Sequence, residues 1–274
     1  MKPPFAYYGG KARLAPWIVS LMPPHQIYVE PCLGGGAVFF AKSPTEHEIL
    51  NDVDGSLVAF FRALRDQPDE LIRLCEATPY ARDELAAADP NEEGITDLEI
   101  ARRWWVSVNQ SFNKTGRHNN GFAASAAAGS GEAKTTKRRL QRLHQVADRL
   151  RDAVIENRPV VDLVATFDTP RTLFYIDPPY VKESRTNVST AYRNEMGEDE
   201  HRALAAELEA CRGVVLVSGY DSLLYDEIFA GWHRAETSVL KRTSNRHRDQ
   251  REAVTEVIWS NRPISDGRLF GGVA

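Results

Sequence analysis

At 274 residues, with 42% hydrophobic and 26% charged side chains, the chain has room for one large domain or a domain with a sizeable insertion, and its composition is that of an ordinary globular protein. A formal net charge of −4 argues against a protein that merely coats nucleic acid; no apolar run approaches the roughly 20 residues of a bilayer span, and no basic start followed by an apolar stretch marks a secretory signal. Cys32, Cys75 and Cys211 form no C-x-x-C pair and the seven histidines show no H-E-x-x-H spacing, so no disulfide framework, no metal and a reducing, cytoplasmic setting are expected.

In chain order, Ile27-Tyr28-Val29 reads as a short buried strand, Glu30 to Gly36 as a turn, and Ala37 to Lys42 as the start of a helix. Ile49-Leu50 is a second strand, ending at Asn51-Asp52. Gly55 to Asp66 has helical spacing, with Leu57, Phe60, Phe61 and Leu64 on one face. A strand, a glycine turn, a helix and a strand ending in an acid open a doubly wound α/β sheet. From about Asp69 to Leu150 the pattern is mainly helical; Thr96 and Glu99 have capping-box spacing ahead of Ile100 to Val108. Gln110 to Lys134 reads as a long loop rich in Asn, Gly, Ser and Ala. The α/β pattern then resumes, with strands at Val154-Ile155, Thr172 to Ile176 and Val214 to Ser218 and a helix over Asp199 to Cys211. Thr237 to Leu240 and Ala253 to Trp259 form a closing antiparallel pair. The expected organisation is one α/β domain in two parts, 1–66 and 151–274, with a helical insertion at 67–150. Basic side chains crowd two segments: Lys134, Lys137, Arg138, Arg139, Arg142, Arg149 and Arg151, and then Lys241, Arg242, Arg246, Arg248 and Arg251. Each is a candidate phosphate-binding surface, with a plain solvated face as the alternative.

The sharpest motif is Asp177-Pro178-Pro179-Tyr180, directly after the apolar strand. Ligands of open α/β sheets bind beyond the carboxyl ends of the strands. Proline lacks an N–H, so Pro178 and Pro179 leave carbonyls that only accept. An acid, an accepting carbonyl and an aromatic plane suit the capture of an exocyclic NH2 group and its ring. Methylating such an amine requires this, because its lone pair is delocalised until acceptors on its hydrogens localise it. A second motif, Glu30 to Gly36, carries three glycines that let backbone approach a ligand at the start of a helix, and Asp52 stands where an acid meets ribose hydroxyls in this fold type. A third, Tyr7-Tyr8-Gly9-Gly10-Lys11, is a glycine loop ending in a lysine.

In this order the motifs resemble the Dam-type DNA adenine methyltransferases, the D12 class or alpha group: Tyr-Gly-Gly-Lys, Glu-Pro-x-x-Gly-x-Gly, Leu-Asn-Asp, an insertion, Asp-Pro-Pro-Tyr, and a closing Glu256-Val257-Ile258-Trp259-Ser260-Asn261. The resemblance implies a Rossmann-like sheet that uses S-adenosylmethionine, with a mainly helical target-recognition domain inserted, acting on double-stranded DNA in a bacterial, phage or prophage setting. It implies Tyr7, Lys11, Glu30, Gly34, Asp52 and Asp177 as cofactor contacts, with Lys11 on the cofactor's carboxylate and Asp52 on its adenosine part. Tyr7 stands where the family often has Trp. It implies Asp177, Pro178, Pro179 and Tyr180 as catalytic, with Asp177 serving the target amine and Tyr180 stacking on a base swung out of the duplex. The segment 109–117, with Asn109, Gln110, Asn113 and Arg117, falls where target recognition occurs, since Asn, Gln and Arg heads read base edges; Arg138 and Arg142 would meet phosphates.

Rival readings are narrower. N4-cytosine methylation uses the same geometry, but its motif usually begins with Ser. A C5-cytosine enzyme with Cys32 as nucleophile leaves the Asp-Pro-Pro-Tyr motif unexplained. A protein-glutamine methyltransferase usually has Asn in place of Asp177 and no use for the basic middle. A catalytically silent DNA-binding relative has no reason to keep Asp177 and Lys11.

Overall fold

The computed structural model describes residues 1–112, 114–116, 121–124, 131–180, 196–240 and 253–264. Among them, seven strands form one sheet: β1 (Ile27–Glu30), β2 (His47–Asn51), β3 (Val154–Glu156), β4 (Thr172–Ile176), β5 (Val214–Tyr220), β6 (His233–Leu240) and β7 (Ala253–Ser260). Their order is β3-β2-β1-β4-β5-β7-β6. The first five are mutually parallel, and β7 runs antiparallel to both β5 and β6. This is the doubly wound order 3-2-1-4-5 closed by a reversed hairpin.

The parallel strands are covered on both faces, which is why they read as continuous apolar runs. Alternation along each strand sorts the side chains into two cores. Tyr28, Leu50, Leu173, Tyr175, Leu216 and Ile258 face one; Val29, Ile49, Phe174, Ile176, Val217 and Trp259 face the other. On the first side lie α1 (Ala15–Ser20), α2 (Ala37–Ala41), α3 (Gly55–Asp66), α4 (Pro68–Ala77), α6 (Asp97–Gln110) and α8 (Leu143–Leu150); α5 (Arg82–Ala87) and α7 (Gly131–Leu140) lie further out. On the second lie α9 (Val160–Phe167), α10 (Glu198–Glu209) and α11 (Leu223–Ile228). The Thr96 side chain caps α6 by accepting from Glu99 N at 3.3 Å, as its spacing predicts.

The described residues of 67–150 are mainly helical, and α4, α6 and α8 share the first core with the sheet. Trp105 stacks on Phe60 of α3 at 5.7 Å and 13°. Leu85, Ala88 and Val106, with Phe122 against them, form a small separate cluster. The end of the predicted loop after Gln110, from Gly131 to Lys134, lies in α7, and near its start Phe112 N donates to Gly121 O at 2.7 Å. A further correction concerns the basic stretch. Arg149 is 12% exposed; it pairs with buried Glu48 and stacks over Phe39 at 3.8 Å, and Lys42 lies 2.5 Å from the same carboxylate. Charge balance around a carboxylate inside β2 places Arg149 in the interior, away from any phosphate.

Candidate active site

Crossovers diverge between β1 and β4, toward β2 on one side and β5 on the other, which leaves a crevice beyond their carboxyl ends. A cavity of about 240 Å³ sits there. Tyr7, Lys11, Glu30, Gly34, Asp52 and Asp177 all line it, as does Pro179. The structure thus brings together every residue that the sequence reading assigns to the cofactor, from four separate segments.

The glycine turn is held from β2. Asn51, fully buried, donates to Pro31 O at 2.8 Å and Arg158 O at 3.0 Å, and its own carbonyl accepts from Leu33 N at 2.9 Å. Asp52 accepts from Gly34 N at 2.9 Å and Asp54 N at 2.9 Å. Burial raises the Asp52 carboxyl to about 6 even against these donors. Tyr7 packs against the turn: a Cβ on Gly34 would come within 3.1 Å of its ring. Glu30 ends β1 and is 2% exposed; it accepts from the Tyr28 hydroxyl at 2.7 Å and Phe39 N at 3.1 Å. Burial pushes its carboxyl to about 8, with the charge of Asp177 adding to the effect. Near neutrality Glu30 therefore keeps its proton.

Asp177 follows β4 directly. Its Oδ1 accepts from Ser218 Oγ at 2.8 Å and lies 2.8 Å from Lys11 Nζ. Among the described residues none donates a hydrogen bond to Oδ2. Lys11 is 6% exposed, donates to Gly9 O at 3.2 Å and lies 3.5 Å from Glu256 Oε1. The sequence reading sends this ammonium to the cofactor's carboxylate; the structure sends it to two carboxylates of the chain itself. Tyr180 is 5% exposed. Its hydroxyl donates to Glu256, Lys11 Nζ stands 4.5 Å from its ring centroid, and Tyr220 meets it edge-on at 4.6 Å. Its ring is thus covered, and Tyr220 is the more open of the two aromatics.

Sequence reasoning missed Glu256, Ser218, Tyr220 and Asn51. Glu256 left a signal: it is the lone acid in an alternating apolar strand, two residues before inward-facing Ile258. Ser218 and Tyr220 are found only by knowing that β5 lies beside β4.

The expected base readers divide. Asn113 and Arg117 lie outside the described residues, as do Lys241, Arg242, Arg246, Arg248 and Arg251. Asn109 and Gln110 are buried. Asn109 donates to Trp105 O and accepts from Arg139 at 2.8 Å; Gln110 donates to Pro79 O and accepts from Ala81 N. Their amides are consumed in tying helices together, which corrects their reading as base contacts. Arg138 is exposed on α7, and Arg142 is half-buried just before α8. Among the described residues no group of three or more His, Cys, Asp or Glu is placed to hold a metal ion, and no helix is long and apolar enough to cross a membrane.

A profile of the D12 class N6 adenine-specific DNA methyltransferases matches residues 7–247. The chain is 26% identical over 286 residues to the type II methyltransferase M1.LlaDCHI of Lactococcus lactis subsp. cremoris, covering 95% of each. It is 25% identical over 276 residues to the DNA adenine methylase of Escherichia coli strain K12, covering 93% of each. It is 27% identical over 196 residues to the DNA N-6-adenine-methyltransferase of Escherichia phage P1, covering 69% of this chain and 25% of that one.

Proposed function

The chain belongs to the D12 class N6 adenine-specific DNA methyltransferases, enzymes that methylate adenine in DNA, and we propose that it does so with S-adenosylmethionine held in the cavity beyond β1 and β4. The donor set fits that cofactor. Gly34 and Gly35 keep the turn free of side chains, Asp52 offers a carboxylate for ribose hydroxyls, and the acids around Lys11 suit a sulfonium. When bound, the cofactor supplies an electrophilic methyl group.

The chain's own part is to prepare the nucleophile. Asp177 Oδ1 is engaged by Lys11 and Ser218, so Oδ2 is the oxygen for an N6 hydrogen of adenine. The Pro178 carbonyl takes the second hydrogen. Two acceptors localise the nitrogen lone pair, and the fixed loop aims it; orientation and preorganised electrostatics then carry most of the acceleration. N6 is out of reach inside a duplex, so the base leaves the stack. Tyr180 stacks on it only after giving up its present cover; Tyr220 is the adjacent aromatic wall. The helices of 67–150, with Arg117 for bases and Arg138 and Arg142 for phosphates, form the DNA-reading side. The bacterial and phage relatives support a cytoplasmic setting.

The observation that carries this reading is the convergence of the glycine turn, Asp52, Lys11 and Asp177 on one cavity at the switch point. The test is sequencing of modified bases in DNA from cells expressing the chain or its Asp177→Ala variant. N6-methyladenine at a fixed short motif is expected with the parent and absent with the variant, while the variant keeps its cooperative thermal unfolding. Methyl groups on cytosine, or an Asp177→Ala variant that methylates as well as the parent, would overturn it.

A further inference from the structure

One buried carboxylate of the site has no part in the reaction just described. Glu256 lies on β7, opposite Tyr220 of β5 and Thr237 of β6, and is 3% exposed. Burying a carboxylate within a sheet is costly unless it is paired and hydrogen-bonded. Its partners are the two residues closest to the chemistry: it accepts from the Tyr180 hydroxyl and lies 3.5 Å from Lys11 Nζ. Lys11 in turn lies 2.8 Å from Asp177 and 4.5 Å from the Tyr180 ring centroid. Glu256, Lys11, Asp177 and Tyr180 therefore close a ring around both ends of the Asp-Pro-Pro-Tyr loop.

The ring has a mechanical and an electrical consequence. The Tyr180 hydroxyl is pinned, so the loop between it and Asp177 is fixed at both ends. One ammonium is shared by two carboxylates, so with both ionised the three groups together carry one net negative charge. If Glu256 were neutral, Lys11 would belong to Asp177 alone. The acceptor strength of Asp177 would be spent on the ammonium, and a cation nearby would meet no net charge. Resting on the reading that Asp177 receives the target amine, we propose that Glu256 is a positioning residue for methyl transfer, which fixes Tyr180, shares Lys11 with Asp177 and leaves one negative charge beside the cationic methyl donor. Burial holds the Glu256 carboxyl above the usual carboxylate range, with the charge of Asp177 adding to the effect, while Lys11 and the Tyr180 hydroxyl pull it part of the way back.

The experiment compares the full chain with Glu256→Gln, which keeps the volume and removes the charge. S-adenosylmethionine and S-adenosylhomocysteine differ at sulfur by one positive charge, so the ratio of their affinities, measured calorimetrically, reads the local charge. Glu256→Gln is expected to lower the preference for the sulfonium by about tenfold, the scale of one charge acting across several ångströms of protein. It is also expected to lower kcat by about 10- to 100-fold, with a smaller change in KM for DNA. Glu256→Asp should recover the affinity ratio. Tyr180→Phe should keep the ratio and lose kcat, which separates charge from position. A Glu256→Gln variant with the parental ratio and kcat overturns the inference. So does one that weakens both ligands equally while its thermal transition collapses, since that is a purely structural role. If the parent binds neither ligand, the methyl-donor reading itself is wrong, and this inference falls with it.

Discussion

Glu30 and Asp52 are both carboxylates at strand ends, and their surroundings give them different protons. Glu30, fully enclosed, titrates at about 8 in the folded chain against 4.5 when unfolded. Between these values the folded state holds a proton that the unfolded state has released. Stability therefore falls as pH rises through the window and levels off above it. Glu30→Gln removes the titration. The parent should lose about 1.4 kcal/mol per pH unit more than Glu30→Gln between about pH 6.5 and 8, as read by denaturant unfolding; parallel slopes would refute the assignment. Asp52 titrates at about 6, so it is charged at neutral pH and can accept from ribose hydroxyls. Affinity for S-adenosylhomocysteine should fall as pH drops from 7.5 to about 5, and Asp52→Ala should weaken it about 10- to 100-fold at pH 7.5. A calorimetric titration in which Asp52→Ala binds like the parent would remove Asp52 from the pocket.

At the scale of elements, the turn from β1 into α2 shows how local conformation places the site. Gly36 opens α2 with φ +66, a left-handed conformation that side chains disfavour, and a Cβ there would lie 2.9 Å from the Phe40 ring. Gly36→Ala should cost about 1–2 kcal/mol from backbone strain alone, and more if Phe40 must shift. The loss would appear as a lower melting temperature and, because the same turn lines the cavity, as weaker cofactor binding. A melting temperature equal to the parent's would show that the turn tolerates an ordinary residue. Asn51 supports the turn from outside: it joins Pro31 to Arg158 through one amide. The Leu-Asn-Asp motif therefore contributes a scaffold residue beside Asp52, the residue proposed for the cofactor.

At the scale of the whole molecule, the basic stretch 134–151 divides into surface and interior, and mutagenesis can tell the two apart. Arg138 is exposed on α7. Arg138→Ala should weaken binding to every duplex alike and reduce the slope of log affinity against log salt by about one, with no change in melting temperature. Arg149 is locked to Glu48 beneath α8. Arg149→Ala leaves a buried carboxylate short of a partner and should cost about 3 kcal/mol of stability, with the salt slope unchanged. If the two variants behave alike in a salt series and a melting experiment, this division is wrong. Arg117→Ala should instead relax sequence choice, by about 1–3 kcal/mol per lost base contact.

What the sequence determined by itself is what short segments encode. The helix Gly55 to Asp66 was readable because one face is buried for several turns, and the strand Thr172 to Ile176 because burial on both faces leaves a continuous apolar run. The shorter α1, α9 and α11 escaped notice, since six to eight residues scarcely establish a period. The residues that line the cavity were legible because backbone constraints confine glycines, prolines and strand-end acids to fixed local positions. Only the tertiary structure decided which of the charged groups meet. Lys11 and Glu256 stand 245 residues apart in the sequence, and β7 inserts between β5 and β6 to bring Glu256 beside the loop that carries Lys11. Arg149 and Glu48 meet across 101 residues, so nothing local distinguishes Arg149 from Arg138. A side chain's type fixes its charge, but its partner and its contact with water are set by strand order and helix packing.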